Sequence, residues 1–231
     1  MADVIREDFD RIAALPEARW DHNSHYHAFL LRQLPAELDT ALDVGCGRGA
    51  FTRLLATRAR RATGIDLSSA MVRAAYERSA AVRNVDFRVA DVKAIELPAM
   101  FDCVACIATL HHLPLRQSLE RLAAALAPGG TLLVLDLYRA ATLADFAVSA
   151  LAAPVNLLAR LARTGGLLTR GAVREAWARH APNDSFPTLV EVRDLCAGLL
   201  PGARVRRHLY WRYSVVWRKG SAPSSSRPWQ G

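Results

Sequence analysis

The chain has 231 residues, 52% hydrophobic and 23% charged, with 13 glycines and 11 prolines. This is globular composition with enough length to bury one substantial core, and it excludes collagen, disorder and a disulfide miniprotein. Thirty Lys plus Arg against 22 Asp plus Glu leave a charge of +8, but only Lys93 and Lys219 are lysines and the arginines are scattered in nothing longer than pairs, so no nucleic-acid partner is expected.

No stretch approaches the roughly 18 uninterrupted apolar residues of a membrane span, and the N-terminus lacks the basic and apolar regions of a secretory signal. A cytoplasmic location with no membrane partner is the expectation. Cys46, Cys103, Cys106 and Cys196 follow no disulfide framework and read as free thiols. A strand over FDCVACI turns Cys103 and Cys106 to opposite faces, and no second Cys/His pair follows at zinc spacing, so no metal is expected.

The coarse pattern begins with an amphipathic stretch from Val4 to Leu34, read as two or three short helices. It carries the polar-aromatic cluster Trp20, His22, His25, Tyr26 and His27. From Asp39 short β-like runs alternate with helical periodicity: TALDV, then Ala50 to Thr57; RATGI, then Ser69 to Ala81; VDFRV; FDCVACI, then Leu115 to Leu126; and TLLVLDL. Alternation of this kind predicts parallel strands joined by right-handed crossovers, a doubly wound α/β sheet.

Residues 140–187 read as an inserted helical lid, with Leu143, Phe146, Val148, Leu151, Val155, Leu157, Leu158 and Leu161 expected mostly to pack on the sheet. A helix from Thr188 to Leu200 follows, then strands Arg204 to Leu209 and Arg212 to Trp217 as an antiparallel hairpin at the sheet edge. The units predicted are therefore a helical cap (1–38), a ligand-binding core (39–139), the lid (140–187), a closing helix and hairpin (188–219) and a disordered tail (220–231) rich in Ser and Pro.

The strongest signal is Leu42-Asp43-Val44-Gly45-Cys46-Gly47-Arg48-Gly49-Ala50-Phe51, an apolar strand, a glycine turn and a helix. Glycines there permit positive φ and close approach of a ligand to bare backbone. A dinucleotide fingerprint would read G-x-G-x-x-G. Here the third glycine comes one residue early, and Asp43 stands two residues before the first. A carboxylate at that place repels a pyrophosphate and suits a ligand carrying an ammonium group. Asp66, ending the second strand, is placed to accept both hydroxyls of a ribose, and Asp91, after the third, to accept from an adenine amino group. Together the three acids describe a nucleoside with an amino-acid tail.

In combination LDVGCGRGAF, GIDLSSAMV, ADV, ATLHHLP and LAPGGTLLVLDL resemble the class I S-adenosylmethionine-dependent methyltransferases, specifically those acting on small molecules. The likeness is dense from Asp39 to Leu137 and looser in the closing hairpin. It implies a seven-stranded Rossmann-like sheet with the last strand antiparallel and S-adenosyl-L-methionine across the carboxyl ends of the first strands. By the resemblance, Asp43, Gly45 and Gly47 surround the methionine moiety, Asp66 the ribose, Leu67 and Met71 an adenine face, Asp91 and Val92 the adenine edge, and Ile107 and Ala108 the sulfonium.

His111 and His112 follow strand four, where the transferring methyl belongs. His111 is the candidate base or acceptor-positioning group, and His112 reads as structural. Tyr26 is placed to close on the methionine carboxylate and His25 or His27 to face the acceptor, while Asp136 and Tyr138 end strand five on the same edge. The expected reaction is in-line methyl transfer to O, S or N of a small, partly hydrophobic molecule. The alternatives are an RNA methyltransferase and a non-catalytic S-adenosylmethionine-binding protein. Ile107-Ala108-Thr109-Leu110 stands where enzymes acting on base amines carry Asp/Asn-Pro-Pro-aromatic.

Overall fold

Strand and helix periodicities alternate along the chain, and they build one sheet with helices on both faces. The structure is a computed structural model that describes residues 2–16, 21–148, 150, 152, 154, 171–181 and 184–221. Its strands are β1 (Leu38–Val44), β2 (Ala59–Asp66), β3 (Val85–Val89), β4 (Phe101–Ile107), β5 (Leu126–Leu137), β6 (Arg204–His208) and β7 (Arg212–Arg218), in the order β3-β2-β1-β4-β5-β7-β6. Neighbours from β3 to β5 pair in parallel, while β7 runs antiparallel to both β5 and β6. The order reverses at β1, which pairs with β2 on one side and β4 on the other, and crevices at such a switch point are where open α/β sheets take their ligands.

Period-two alternation sorts the strand side chains into two cores. Leu42, Val44, Val104, Cys106, Leu132 and Val134 pack on one face with Leu119 and Leu122 of α5 (Leu115–Ala124) and Val192 and Cys196 of the last helix. Ala41, Cys103, Ala105, Leu133 and Leu135 pack on the other with Leu30 of α2 (His27–Leu31) and Phe51 and Leu55 of α3 (Ala50–Leu55). Cys103 and Cys106 thus lie on opposite faces as buried free thiols, as the strand period requires. Further helices are α1 (Ala2–Ala13), α4 (Ser69–Arg78), α6 (Gly171–His180) and α7 (Leu189–Leu199).

Two sequence expectations need correction. LAPGG extends β5 backwards to Leu126, so α5 stops at Ala124, and the pairing with β4 shifts register between Phe101 and Cys103 to absorb the extra residues. Leu143 and Phe146 do not pack on the sheet: they are 90% and 58% exposed. The reason is Asp145, which is turned inward to accept from the Ala141 and Thr142 amides (3.1 and 2.9 Å) and to pair with Arg207 at 3.4 Å. That rotation leaves Leu143 and Phe146 on the outside of the helical stretch over 143–148. Trp20, Leu151, Val155, Leu157, Leu158 and Leu161, with most of the expected tail, lie outside the described residues.

Helix α7 opens with a reciprocal cap. Thr188 Oγ1 accepts from the Glu191 amide at 3.2 Å, and Glu191 Oε2 accepts from the Thr188 amide at 2.7 Å. The same threonine bridges to Arg139 at the end of β5, so the cap holds a wall of the site described below. Thr188→Ala is expected to cost about 1 kcal/mol of stability, read as a lower urea midpoint at unchanged slope, with Thr188→Ser close to wild type.

Candidate active site

The carboxyl ends of β1 to β5 and the start of β7 share one edge, through the registers Val44↔Ile65, Val44↔Cys106, Ile107↔Leu135, Asp66↔Val89 and Leu137↔Arg212. Each strand delivers a loop there. After β1, Gly45, Gly47 and Gly49 have φ of 70°, 51° and 73°, values that cost other residues about 1–2 kcal/mol each. Their roles differ. A Cβ on Gly45 would fall 2.0 Å from Thr109 Oγ1 and one on Gly49 2.7 Å from the Phe87 ring, whereas one on Gly47 meets nothing within 4 Å. Gly45 and Gly49 are packed from behind, and Gly47 is the open face.

Asp66 holds that face. Its two oxygens accept from the Gly47 amide (2.8 Å) and the Ser68 amide (2.9 Å), which leaves lone pairs on both for further donors. Burial is the main cause that pushes its carboxyl above the usual range, partly offset by those amides. Asp43 is 2% exposed and accepts from Thr52 Oγ1 at 2.7 Å. Burial pushes it up to about 7 against that hydrogen bond. Its carboxylate therefore ties the end of β1 to α3 beneath the loop. Leu67 is half-buried and Met71 buried at the start of α4, where Ser68 caps the Met71 amide. Asp91 accepts from the Lys93 amide at 2.9 Å with Lys93 Nζ at 3.6 Å, and Val92 is buried in the core. Beyond Ile107 the chain turns at Ala108, with φ of 50°, and enters a 3-10 turn, Leu110–His112.

At that turn Asp136, with no exposed surface, accepts from the His111 amide at 3.0 Å, lies 2.6 Å from His111 Nδ1 and accepts from the Leu137 amide at 2.7 Å. The carboxylate fixes the ring, and in the neutral tautomer that donates Nδ1–H to it the lone pair is on Nε2. A cavity of about 400 Å³ is lined by Leu110, His111, Arg139, Phe186, Glu191 and Tyr213, among others. Tyr138 is buried in the core. His112 is driven down to about 3, by burial first and then by the two neighbouring imidazoles, and is neutral.

Asp8, Phe9, Trp177, His180 and Asp184, all absent from the sequence reading, join this edge. Asp184 Oδ1 lies 3.3 Å from His112 Nδ1, 3.9 Å from His111 Nε2 and 3.3 Å from His180 Nε2. His180 Nδ1 meets Asp8 of α1 at 3.2 Å. Phe9 packs on His112, Trp177 and His180. No local spacing in the sequence announces these contacts, since α1, the β4 turn and the end of α6 are far apart in the chain.

The cap residues divide. His27 packs on Phe51 beside the glycine loop, while His22 stacks on Tyr210 and His25 packs on Tyr26 and Tyr210. The Tyr26 hydroxyl is committed to the Leu209 carbonyl at 3.0 Å. Burial pushes this phenol up to about 12. It braces the β6–β7 turn instead of offering itself to a ligand carboxylate. That turn needs bracing, because Tyr210 and Trp211 both have positive φ, the geometry demanded by a tight hairpin.

Comparison with known proteins bears on this geometry. Residues 41–130 match a family described as a methyltransferase domain. The chain is 37% identical over 205 residues to uncharacterized methyltransferase Rv0089 of Mycobacterium tuberculosis, covering 86% of this chain and 96% of that one. The chain belongs to the class I S-adenosylmethionine-dependent methyltransferases. This methyltransferase is also 30% identical to the ubiquinone biosynthesis O-methyltransferase of Xylella fastidiosa over 76% of its own length and 77% of the relative's. Among solved structures it shares its fold with the DhpI–SAH complex (TM-score 0.65, 18% identity, 96% of each chain) and with the N-methyltransferase NodS from Bradyrhizobium japonicum bound to S-adenosyl-L-homocysteine (TM-score 0.64, 18% identity, 93% and 98%).

The residues present fit the methyl donor of this methyltransferase family. Gly47 leaves bare backbone against open space, and Asp66 keeps acceptor capacity beside it. Gly45→Ala is expected to destabilise the fold by about 1–3 kcal/mol through its clash with Thr109, whereas Gly47→Ala should cost less stability and proportionally more affinity for S-adenosylhomocysteine. Denaturant melts beside calorimetry separate the two.

Asp43 also predicts a pH effect. Its folded pKa lies above the unfolded carboxylate value near 3.9, so the folded state binds the extra proton. Asp43's contribution is fully present below about pH 4 and is lost as pH rises to about 7. Asp43→Asn keeps an acceptor for Thr52 and should gain stability over wild type by up to about 1.4 kcal/mol per pH unit across that window, measured as urea unfolding at pH 5 and pH 7.5. A difference that does not change with pH removes Asp43 from this role.

Proposed function

We propose that the protein methylates a hydroxyl oxygen of a small, partly hydrophobic molecule seated in the groove beside His111. The observation that carries this reading is His111 itself, at the turn after β4 with its Nδ1 2.6 Å from buried Asp136, which leaves Nε2 as the nitrogen that would take a proton. A hydroxyl, unlike a neutral amine, must shed a proton to become a competent nucleophile, so it needs such a group. Leu110, Leu113, Leu115 and Phe186 supply apolar lining, and Arg139, Glu191 and Tyr213 supply the few polar groups that orient a ligand. The similarity to an O-methyltransferase supports the same choice.

S-adenosylmethionine, when bound, supplies an electrophilic methyl group on positively charged sulfur. Asp66 would hold the ribose and Asp91 with Val92 the adenine edge. Gly45, Gly47 and Asp43 would frame the amino-acid tail, and Leu67, Met71, Ile107 and Ala108 the remaining surface. Helix α1 would keep water out; Arg48 holds its C-terminal end by donating to the carbonyls of Ile12 (2.8 Å), Ala13 (3.3 Å) and Leu15 (2.7 Å). Asp10 fastens the same helix to Ser68 Oγ at 2.5 Å. His25, packed on Tyr26 and Tyr210, would complete the acceptor side.

Panels of phenols, thiols and amines assayed for S-adenosylhomocysteine release should show turnover on phenols or alcohols. His111→Ala should lower kcat by about 10²–10⁴-fold with little change in S-adenosylhomocysteine affinity, whereas Asp66→Ala should abolish that affinity. Equal kcat in His111→Ala and wild type would remove His111 from the reaction, and turnover confined to amines would overturn the hydroxyl reading.

A further inference from the structure

Around Asp184 the side chains stand close enough to interact and yet do not hydrogen-bond. Among the described residues, Asp184 Oδ1, both ring nitrogens of His112 and His180 Nε2 are buried without a hydrogen-bond partner, although Asp184 Oδ1 is 3.3 Å from His112 Nδ1 and from His180 Nε2. One acceptor oxygen facing three imidazoles should form a good hydrogen bond with at least one of them. Their ligand atoms converge instead: one each from His111, His112 and Asp184 lie within 4.8 Å of one another.

We propose that His111, His112 and Asp184 bind one divalent d-block cation of the Zn²⁺ type. Bonds of 2.0–2.2 Å to tetrahedral zinc place neighbouring ligand atoms about 3.3 Å apart, and the lone pairs then aim at the ion rather than at one another. His112 Nδ1 and Asp184 Oδ1 stand at that spacing, 3.3 Å, and His111 Nε2, 3.9 Å from Asp184 Oδ1, need close in by only about 0.6 Å to complete it. The supporting contacts are also those of a metal site: Asp136 lies 2.6 Å from the other ring nitrogen of His111, and His180, tied to Asp8 at 3.2 Å, reaches the Asp184 oxygen. Two imidazoles and one carboxylate favour zinc over magnesium or calcium, which take oxygen ligands.

Three protein ligands leave a coordination position open, and His111 lines the acceptor groove. The inference rests on the hydroxyl reading for what fills that position, the acceptor oxygen, and with His111 Nε2 given to the ion it is the ion, in place of a free imidazole lone pair, that makes this oxygen a nucleophile. Bound there, its O–H bond breaks with the pair left on oxygen and the proton released to solvent. That pair then forms the O–CH₃ bond as the S–CH₃ pair returns to sulfur.

The test is zinc titration of untagged, chelator-stripped full-length protein against a chromophoric competitor, with Co²⁺ absorption as a second readout. One equivalent should bind with Kd below about 1 μM. His112→Gln and Asp184→Asn should weaken binding at least a hundredfold, and Asp136→Asn by about 10–100-fold, while S-adenosylhomocysteine calorimetry shows each variant folded. Absence of stoichiometric zinc in folded wild type, or equal affinity in His112→Gln and Asp184→Asn, overturns the site. Turnover of a hydroxylated acceptor in excess chelator overturns its role in the reaction and leaves the hydroxyl reading standing. Zinc binding with no hydroxyl compound methylated does the reverse.

Discussion

A carboxylate taken out of water must be hydrogen-bonded, and this constraint shapes the whole functional edge. Asp43, Asp66 and Asp136 stand towards the carboxyl ends of β1, β2 and β5, and each spends its oxygens on donors in neighbouring segments: Thr52 in α3, the amides of Gly47 and Ser68, and the amide and ring of His111. The donors that satisfy the burial are the groups whose placement the site requires. Satisfying each acid thus helps to hold a loop at the strand ends in its conformation, and the glycine loop, the α4 cap and the His111 turn each answer the same requirement.

Strain at the edge follows from the same economy of space. Ala108, Tyr210 and Trp211 adopt positive φ without being glycine, and each is held by neighbours that leave no alternative. The Ala108 amide donates to the Leu135 carbonyl at 2.7 Å, and Arg212 donates to both Asn23 Oδ1 and the Tyr210 carbonyl. Segment 21–27 consequently spans the edge from Phe51 to Tyr210. On the cofactor side, α1 spends its exposed C-terminal carbonyls on Arg48, which answers the usual shortage of donors at a helix end. A helix remote in sequence from the glycine loop is thereby joined to it, and through Asp8 also to the histidine cluster.

The histidine cluster shows why neighbouring residues can differ in kind. His111 and His112 are adjacent and their rings lie 3.9 Å apart, yet the carboxylate nearest the first is Asp136 at 2.6 Å and nearest the second Asp184 at 3.3 Å. A pair that reads as one catalytic and one structural histidine becomes two members of one polar cluster once Asp184 is brought against them.

What the sequence determined by itself was everything governed by local chemistry. Period-two runs alternating with helical periods specify the parallel sheet, and the early third glycine with Asp43, Asp66 and Asp91 at successive strand ends specifies the donor class. Local spacing carries these features because each acts within one strand and the loop that follows it. Tertiary structure alone decided which groups are buried and what meets across the chain. Tyr26 braces a strained turn because Leu209 is packed against it, and Leu143 and Phe146 face outward because Asp145 takes the inner side of their helix. Asp8, His180 and Asp184 converge on His111 and His112 only after α1 and α6 close over the edge. Those contacts join segments with no shared periodicity, and no pattern read along the chain contains the distances between them.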